Sequence, residues 1–131
     1  MKYFPALSTA LILASCTGYA PHSANLPQEQ RKMERIHSID SRYGFDETLN
    51  RLRDAVQAKG MTLFAVIDHR EAAQKAGLDM QPATVLVFGT PKAGTPLMLK
   101  DPSFALQLPL KVLVTEENGR VKVVFNDTRA L

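Results

Sequence analysis

Residues 61–98 read MTLFAVIDHREAAQKAGLDMQPATVLVFGTPKAGTPLM, and the segment ATVLVFG at 83–89 is the centre of that stretch. Five consecutive apolar or β-branched residues, Thr84, Val85, Leu86, Val87 and Phe88, are closed by Gly89 and Pro91. Such a run predicts a central strand buried on both faces, because a half-exposed strand alternates polar with apolar positions. Residues 61–67 predict a second strand, also apolar on both faces. Between the two, Asp68 is placed to cap a helix over 69–76, with Glu71 three residues on to complete a capping box and Gly77 to end the helix.

Toward the C-terminus, residues 89–94 read as a loop. Thr95 as N-cap and Pro96 at the first helical position then start a short helix through Lys100. Asp101 and Pro102 repeat the device around residues 103–106. Two alternating strands over 110–115 and 120–126 are joined by Glu116, Glu117, Asn118 and Gly119, and Asn-Gly is the strongest short-range hairpin signal. Val112, Val114, Val121, Val123 and Phe125 fall on the inward face, Lys111 and Lys122 on the outward one.

Toward the N-terminus, Phe45, Leu49, Leu52 and Val56 recur at i, i+4, i+7 and i+11, which predicts an amphipathic helix over 45–59. Asp46 and Glu47 in its first turn and Gly60 just past its end agree with the helix dipole and a left-handed C-cap. Residues 31–41 read as a strand leading into that helix, although Met33, Ile36 and Ile39 are also three apart. Together these elements predict an α+β fold: two layers, with a mainly antiparallel sheet of four to five strands packed with helices.

The front of the chain carries a separate signal. Lys2 is followed by an apolar stretch over 6–14, too short to span a bilayer and suited to a signal-peptide core. Leu13, Ala14, Ser15 and Cys16 resemble the lipobox of bacterial lipoproteins, in which the cysteine thiol becomes a thioether to diacylglycerol. The domain division is therefore a signal peptide over 1–15, a lipidated Cys16 with a polar tether over 16–30, and one α+β domain over 31–131. Acyl chains such as palmitate would hold Cys16 at the membrane, since two or three chains give stable anchoring where one alone is marginal. A tether of about 14 residues has a root-mean-square reach of roughly 20 Å. The expected location is the bacterial cell envelope, on the outer membrane facing the periplasm. Cys16 is the single cysteine of the 131 residues, so no intramolecular disulfide forms.

The formal charge of +3 falls to +2 without Lys2, leaving 15 basic against 13 acidic groups scattered among one another. No basic face interleaved with aromatics marks a nucleic-acid binder.

Three segments in order resemble domain of unknown function family 302 (DUF302): Ile67-Asp68-His69; Leu86-Val87-Phe88-Gly89-Thr90-Pro91 with Lys92 to Met98; and Leu108-Pro109 leading the strand Leu110-Lys111-Val112-Leu113-Val114. The likeness covers residues 43–126, with Thr90 standing where the family pattern has asparagine. The resemblance implies an α+β fold with a mainly antiparallel sheet, often dimeric, and no established activity.

Candidate site residues are few. Asp68 and His69, with Thr90 and Lys92 of the glycine-bearing loop, would line a ligand or partner site if the turns meet at one end of the sheet. A histidine at a helix N-terminus has its protonated form disfavoured by the dipole and is available as a neutral hydrogen-bonding group. The bland reading stands beside it, with Asp68 only capping and His69 on the surface. No Gly-x-Ser-x-Gly is present, and Pro91 removes an amide that an anion-cradling turn requires. His37 and His69 lack a His-x-His, Cys-x-x-Cys or carboxylate cluster, and the methionines read as core fillers. No catalytic residue, metal or cofactor is therefore assigned. A binding domain is preferred to an enzyme using Asp68 and His69 as an acid–base pair, or to a dimeric structural module.

Overall fold

The structure, a computed structural model, describes residues 36–128. The leader, Cys16, the tether and the residues up to Arg35 lie outside it. The chain order is β1 (Ile36–Asp40), α1 (Phe45–Ala58), β2 (Thr62–Asp68), α2 (His69–Lys75), β3 (Ala83–Gly89), α3 (Pro91–Lys100), a 3-10 helix (Pro102–Leu106), β4 (Leu110–Glu117) and β5 (Arg120–Asn126). The five strands form one antiparallel sheet in the order β1-β5-β4-β3-β2, which is the predicted α+β class.

Cross-strand register explains the core. Leu86, Val112, Phe125 and His37 stand in one row, and Thr84, Val114, Val123 and Ile39 in the next, all on the same face. Leu49 of α1 packs onto Leu86, Val112, Val114 and Val121, with Phe45 and Leu52 beside it. Leu86 and Val114 are completely buried. The helical stripe and the period-two alternation of β4 and β5 thus meet where the sequence predicts. At the head of α1, Gly44 supplies no side-chain cap. Buried Thr48 donates its hydroxyl to the Gly44 carbonyl at 2.8 Å and lies 2.7 Å from the Ser41 hydroxyl, tying the helix start to the end of β1.

The opposite face carries a second apolar row, Ile67, Val85, Leu113 and Val124, with Ile67 exposed and the other three half-buried. Asn118 and Gly119 close the β4–β5 hairpin with φ of 53° and 74°, the left-handed pair that such a two-residue turn requires.

Two expectations are corrected, and a third element forms in an unexpected place. The strand over 83–89 is not central: β4 is the middle strand, and β3 is second from an edge. The strand expected over 61–67 forms as β2, but at an edge, so its apolar side chains are left open: Phe64, Val66 and Ile67 are 51%, 41% and 44% exposed. An unbroken apolar run reports β-propensity but not which neighbours cover it. A register shift between Leu63 and Ala65 inserts an extra residue there, the bulge that twists an edge away from further pairing. Finally, the helix expected to begin at Pro96 begins at Pro91, with Thr90 as N-cap and Pro96 inside it. Thr90-Pro91 is the same residue pair as Thr95-Pro96, and the helix starts at the earlier one with Pro91 in its first turn, although the Thr90 hydroxyl makes no cap bond. Pro96 only withdraws the N–H that would meet the carbonyl of Lys92.

Candidate functional site

Asp68 ends β2 and caps α2. Its Oδ1 accepts the Glu71 backbone N–H at 2.9 Å. The reciprocal half of a capping box is not made, because the Glu71 carboxylate turns instead to Lys75 at 2.6 Å. That hydrogen bond and the charge of Glu71 hold the Lys75 ammonium above its usual 10.5. His69 is the first residue of α2 and exposed.

Thr90 and Lys92 lie elsewhere. β2 and β3 are antiparallel, with Asp68 opposite Thr84 and Thr62 opposite Gly89. Asp68 and His69 are therefore at one end of the hairpin while Thr90 and Lys92, just beyond Gly89, are at the other. At about 3.4 Å per residue, the Thr84 to Gly89 separation alone is about 17 Å. The structure does not bring the four together. Thr90 and Lys92 are exposed, and Thr90 makes no side-chain hydrogen bond to its helix. Among the described residues no group of three or more His, Cys, Asp or Glu could hold a metal ion.

The feature that the sequence did not disclose is an open cleft of about 740 Å³ on the α1 side of the sheet. One wall is α1, through Leu52, Ala55, Val56 and Lys59; the floor is Val112, Val123, Phe125 and Ile39; Pro109 and Leu110 lie at one end. Its origin is geometric. The outer strands of a five-stranded sheet are about 19 Å apart at about 4.8 Å spacing, whereas one helix with its side chains is about 10 Å across. A single α1 cannot cover the inward face, and Ile39 of β1 is left 56% exposed. The signal for this was present: one amphipathic helix set against inward apolar positions on β1, β4 and β5 together. Beside the cleft, His37 stacks on Phe125 with centroids 5.5 Å apart, and its Nε2 lies 3.4 Å from Asp127 Oδ2.

The family model for the domain of unknown function DUF302 matches residues 37–131. The chain belongs to the DUF302 family. A crystal structure titled as an uncharacterized conserved DUF302 protein from Bacillus stearothermophilus superposes with a TM-score of 0.64 at 25% identity, covering 69% of this chain and 71% of that one. Among curated proteins, "Fluoride-specific ion channel FluC 1" of Brucella suis is 34% identical over 91 residues, or 69% of this chain and 36% of that protein. "Fluoride-specific ion channel FluC 2" of Brucella melitensis is also 34% identical over 91 residues, covering 34% of its length. This DUF302 chain thus spans about a third of the length of the curated relatives it matches.

Proposed function

We propose that this chain is a lipid-anchored DUF302 domain of the bacterial cell envelope, held at the membrane by acylated Cys16, that binds a small ligand in the cleft beside α1. The observation that carries the binding reading is the cleft itself. Its volume of about 740 Å³ falls within the roughly 300–1,000 Å³ usual for ligand sites, and its lining is apolar with a few polar groups. The anchor rests on Leu13, Ala14, Ser15 and Cys16 following a short apolar core. The Brucella relatives, named as ion channels, carry a matching segment within proteins of a membrane, which supports a membrane setting for this domain. Ion conduction is not carried over, since the likeness spans about a third of their length and no helix among the described residues is long and apolar enough to cross a membrane.

Binding is favoured over acid–base catalysis by Asp68 and His69, because Asp68 is already engaged as a cap. The apolar row of Ile67, Val85, Leu113 and Val124 supports a homodimer as the assembled form, which light scattering across concentration measures. Two measurements test the main reading. Mass spectrometry of the mature N-terminus should find diacylglyceryl Cys16; a chain still beginning at Met1 would sink the anchor. Adding 1-decanol should shift the amide resonances of Ile39, Val123 and Phe125 saturably, and unperturbed or indiscriminately perturbed spectra would remove the cleft as a site.

A further inference from the structure

We infer that the cleft beside α1 takes a single-chain amphiphile with an anionic head group, such as a fatty-acid carboxylate. The inference rests on the binding reading above and adds the ligand's chemical class. Its basis is the segregation of polar and apolar lining along the cleft.

Register orders the floor. Leu110 lies opposite Phe88, Val112 opposite Phe125 one row further in, and Val123 opposite Ile39 another row beyond. From Leu110 to the row of Val114 and Val123 is four residues, about 14 Å of apolar floor. The polar lining gathers at the Leu110 end, where α1 finishes with Lys59, β4 is preceded by Gln107, and β5 gives way to Asp127 and Thr128. A ligand matching this pattern has an apolar chain along the floor and one polar head at that end, and the span suits a decyl chain.

The sign of the head group follows from what the charged residues already do. Asp127 is engaged, with His37 Nε2 3.4 Å away. Lys59, exposed at the C-terminus of α1, and Lys111, the other lysine of the lining and also exposed, have no ion-pair partner among the described residues. An anionic head would meet an unmatched ammonium, whereas a cationic one would meet Lys59 as a like charge.

The test varies the head group alone on a chain beginning at Thr17, which keeps every described residue. Decanoate, 1-decanol and decyltrimethylammonium are titrated below their aggregation concentrations and followed by amide shifts and calorimetry. Decanoate should bind at one per chain, more tightly than 1-decanol, with decyltrimethylammonium weakest. Lys59→Glu should weaken decanoate about fivefold and leave 1-decanol within about twofold, as an exposed charge contact implies. Ile39→Glu, at a position exposed enough to leave folding intact, should remove binding of all three while the thermal transition persists. Decyl phosphate and a lysophosphatidylglycerol distinguish the source: tighter binding of these than of decanoate keeps the anionic class and points to a lysophospholipid. Equal binding of 1-decanol and decanoate, or indifference to Lys59→Glu, overturns the anionic head while the cleft stands as a site. Failure of all the decyl probes overturns both.

Discussion

Asp68 accepts the backbone N–H of Glu71 at 2.9 Å, so the acidic residue that looks most chemical in the sequence is spent on starting α2. The first amides of a helix lack intrahelical partners, and a side-chain oxygen at the N-cap satisfies one of them. Asp68→Ala should therefore lower stability by about 1 kcal/mol, and Asp68→Asn by much less, because asparagine caps equally well. Denaturant midpoints for the two variants check this. If both cost the same, the charge of Asp68 rather than its cap would be what matters.

Leu86 is completely buried between Leu49 of α1 and Val112 of β4, whereas Leu99 on α3 is 80% exposed. Truncation of the first removes apolar burial and leaves a cavity; truncation of the second changes little that water did not already reach. Leu86→Ala should cost about 2–5 kcal/mol. Leu99→Ala should stay within about 0.5 kcal/mol, both read from chemical denaturation at constant m. A large effect at Leu99 would show that α3 is covered by a second chain or partner in solution.

What was legible in the chain was local. The spacing of Phe45, Leu49, Leu52 and Val56, the alternation through Val112 and Val114, and Asn118-Gly119 each act through neighbours a few residues away, and each appears in place. Pro91 and Pro96 show the limit of that reading, since two equal start signals five residues apart cannot be ranked by local chemistry alone. Long-range facts were less readable. The apolar run of β2 carries no mark of being at an edge, and the separation of His69 from Lys92 depends on β2 and β3 pairing directly with opposite directions. The cleft was hidden for the same reason: Ile39, Val123 and Phe125 have the residue types of core, and only the width of the sheet against one helix leaves them partly open.

Asp101 provides a pH-dependent contribution of known sign. Its hydrogen bonds from Ser103, first the side chain and then the backbone N–H at 2.9 Å, hold its carboxyl below the usual 3.8 in the folded state. A folded-state value below the unfolded one means that the carboxylate form favours folding. The contribution is complete above 3.8 and is lost as pH falls through the lower folded value. Asp101→Asn keeps an acceptor for the Ser103 amide but does not titrate. Its stability relative to wild type should be constant above about pH 5 and should improve progressively on acidification below about pH 4. A constant difference down to about pH 2 would assign the acid sensitivity to other carboxylates.

His69 and Lys92 offer a direct check on whether the two turn regions act as one unit. They stand beyond opposite ends of the β2–β3 ladder, whose Thr84 to Gly89 stretch is about 17 Å long. Coupling between substitutions fades beyond about 7–10 Å when no partner is shared. The effects of His69→Ala and Lys92→Ala on stability should therefore add within about 0.5 kcal/mol in the double variant. The same additivity should hold for 1-decanol binding, which neither residue touches because neither lines the cleft. An interaction energy above about 1 kcal/mol would mean that the two ends communicate through a shared ligand or a second copy of the chain, and would restore the joint site that the register of β2 and β3 takes apart.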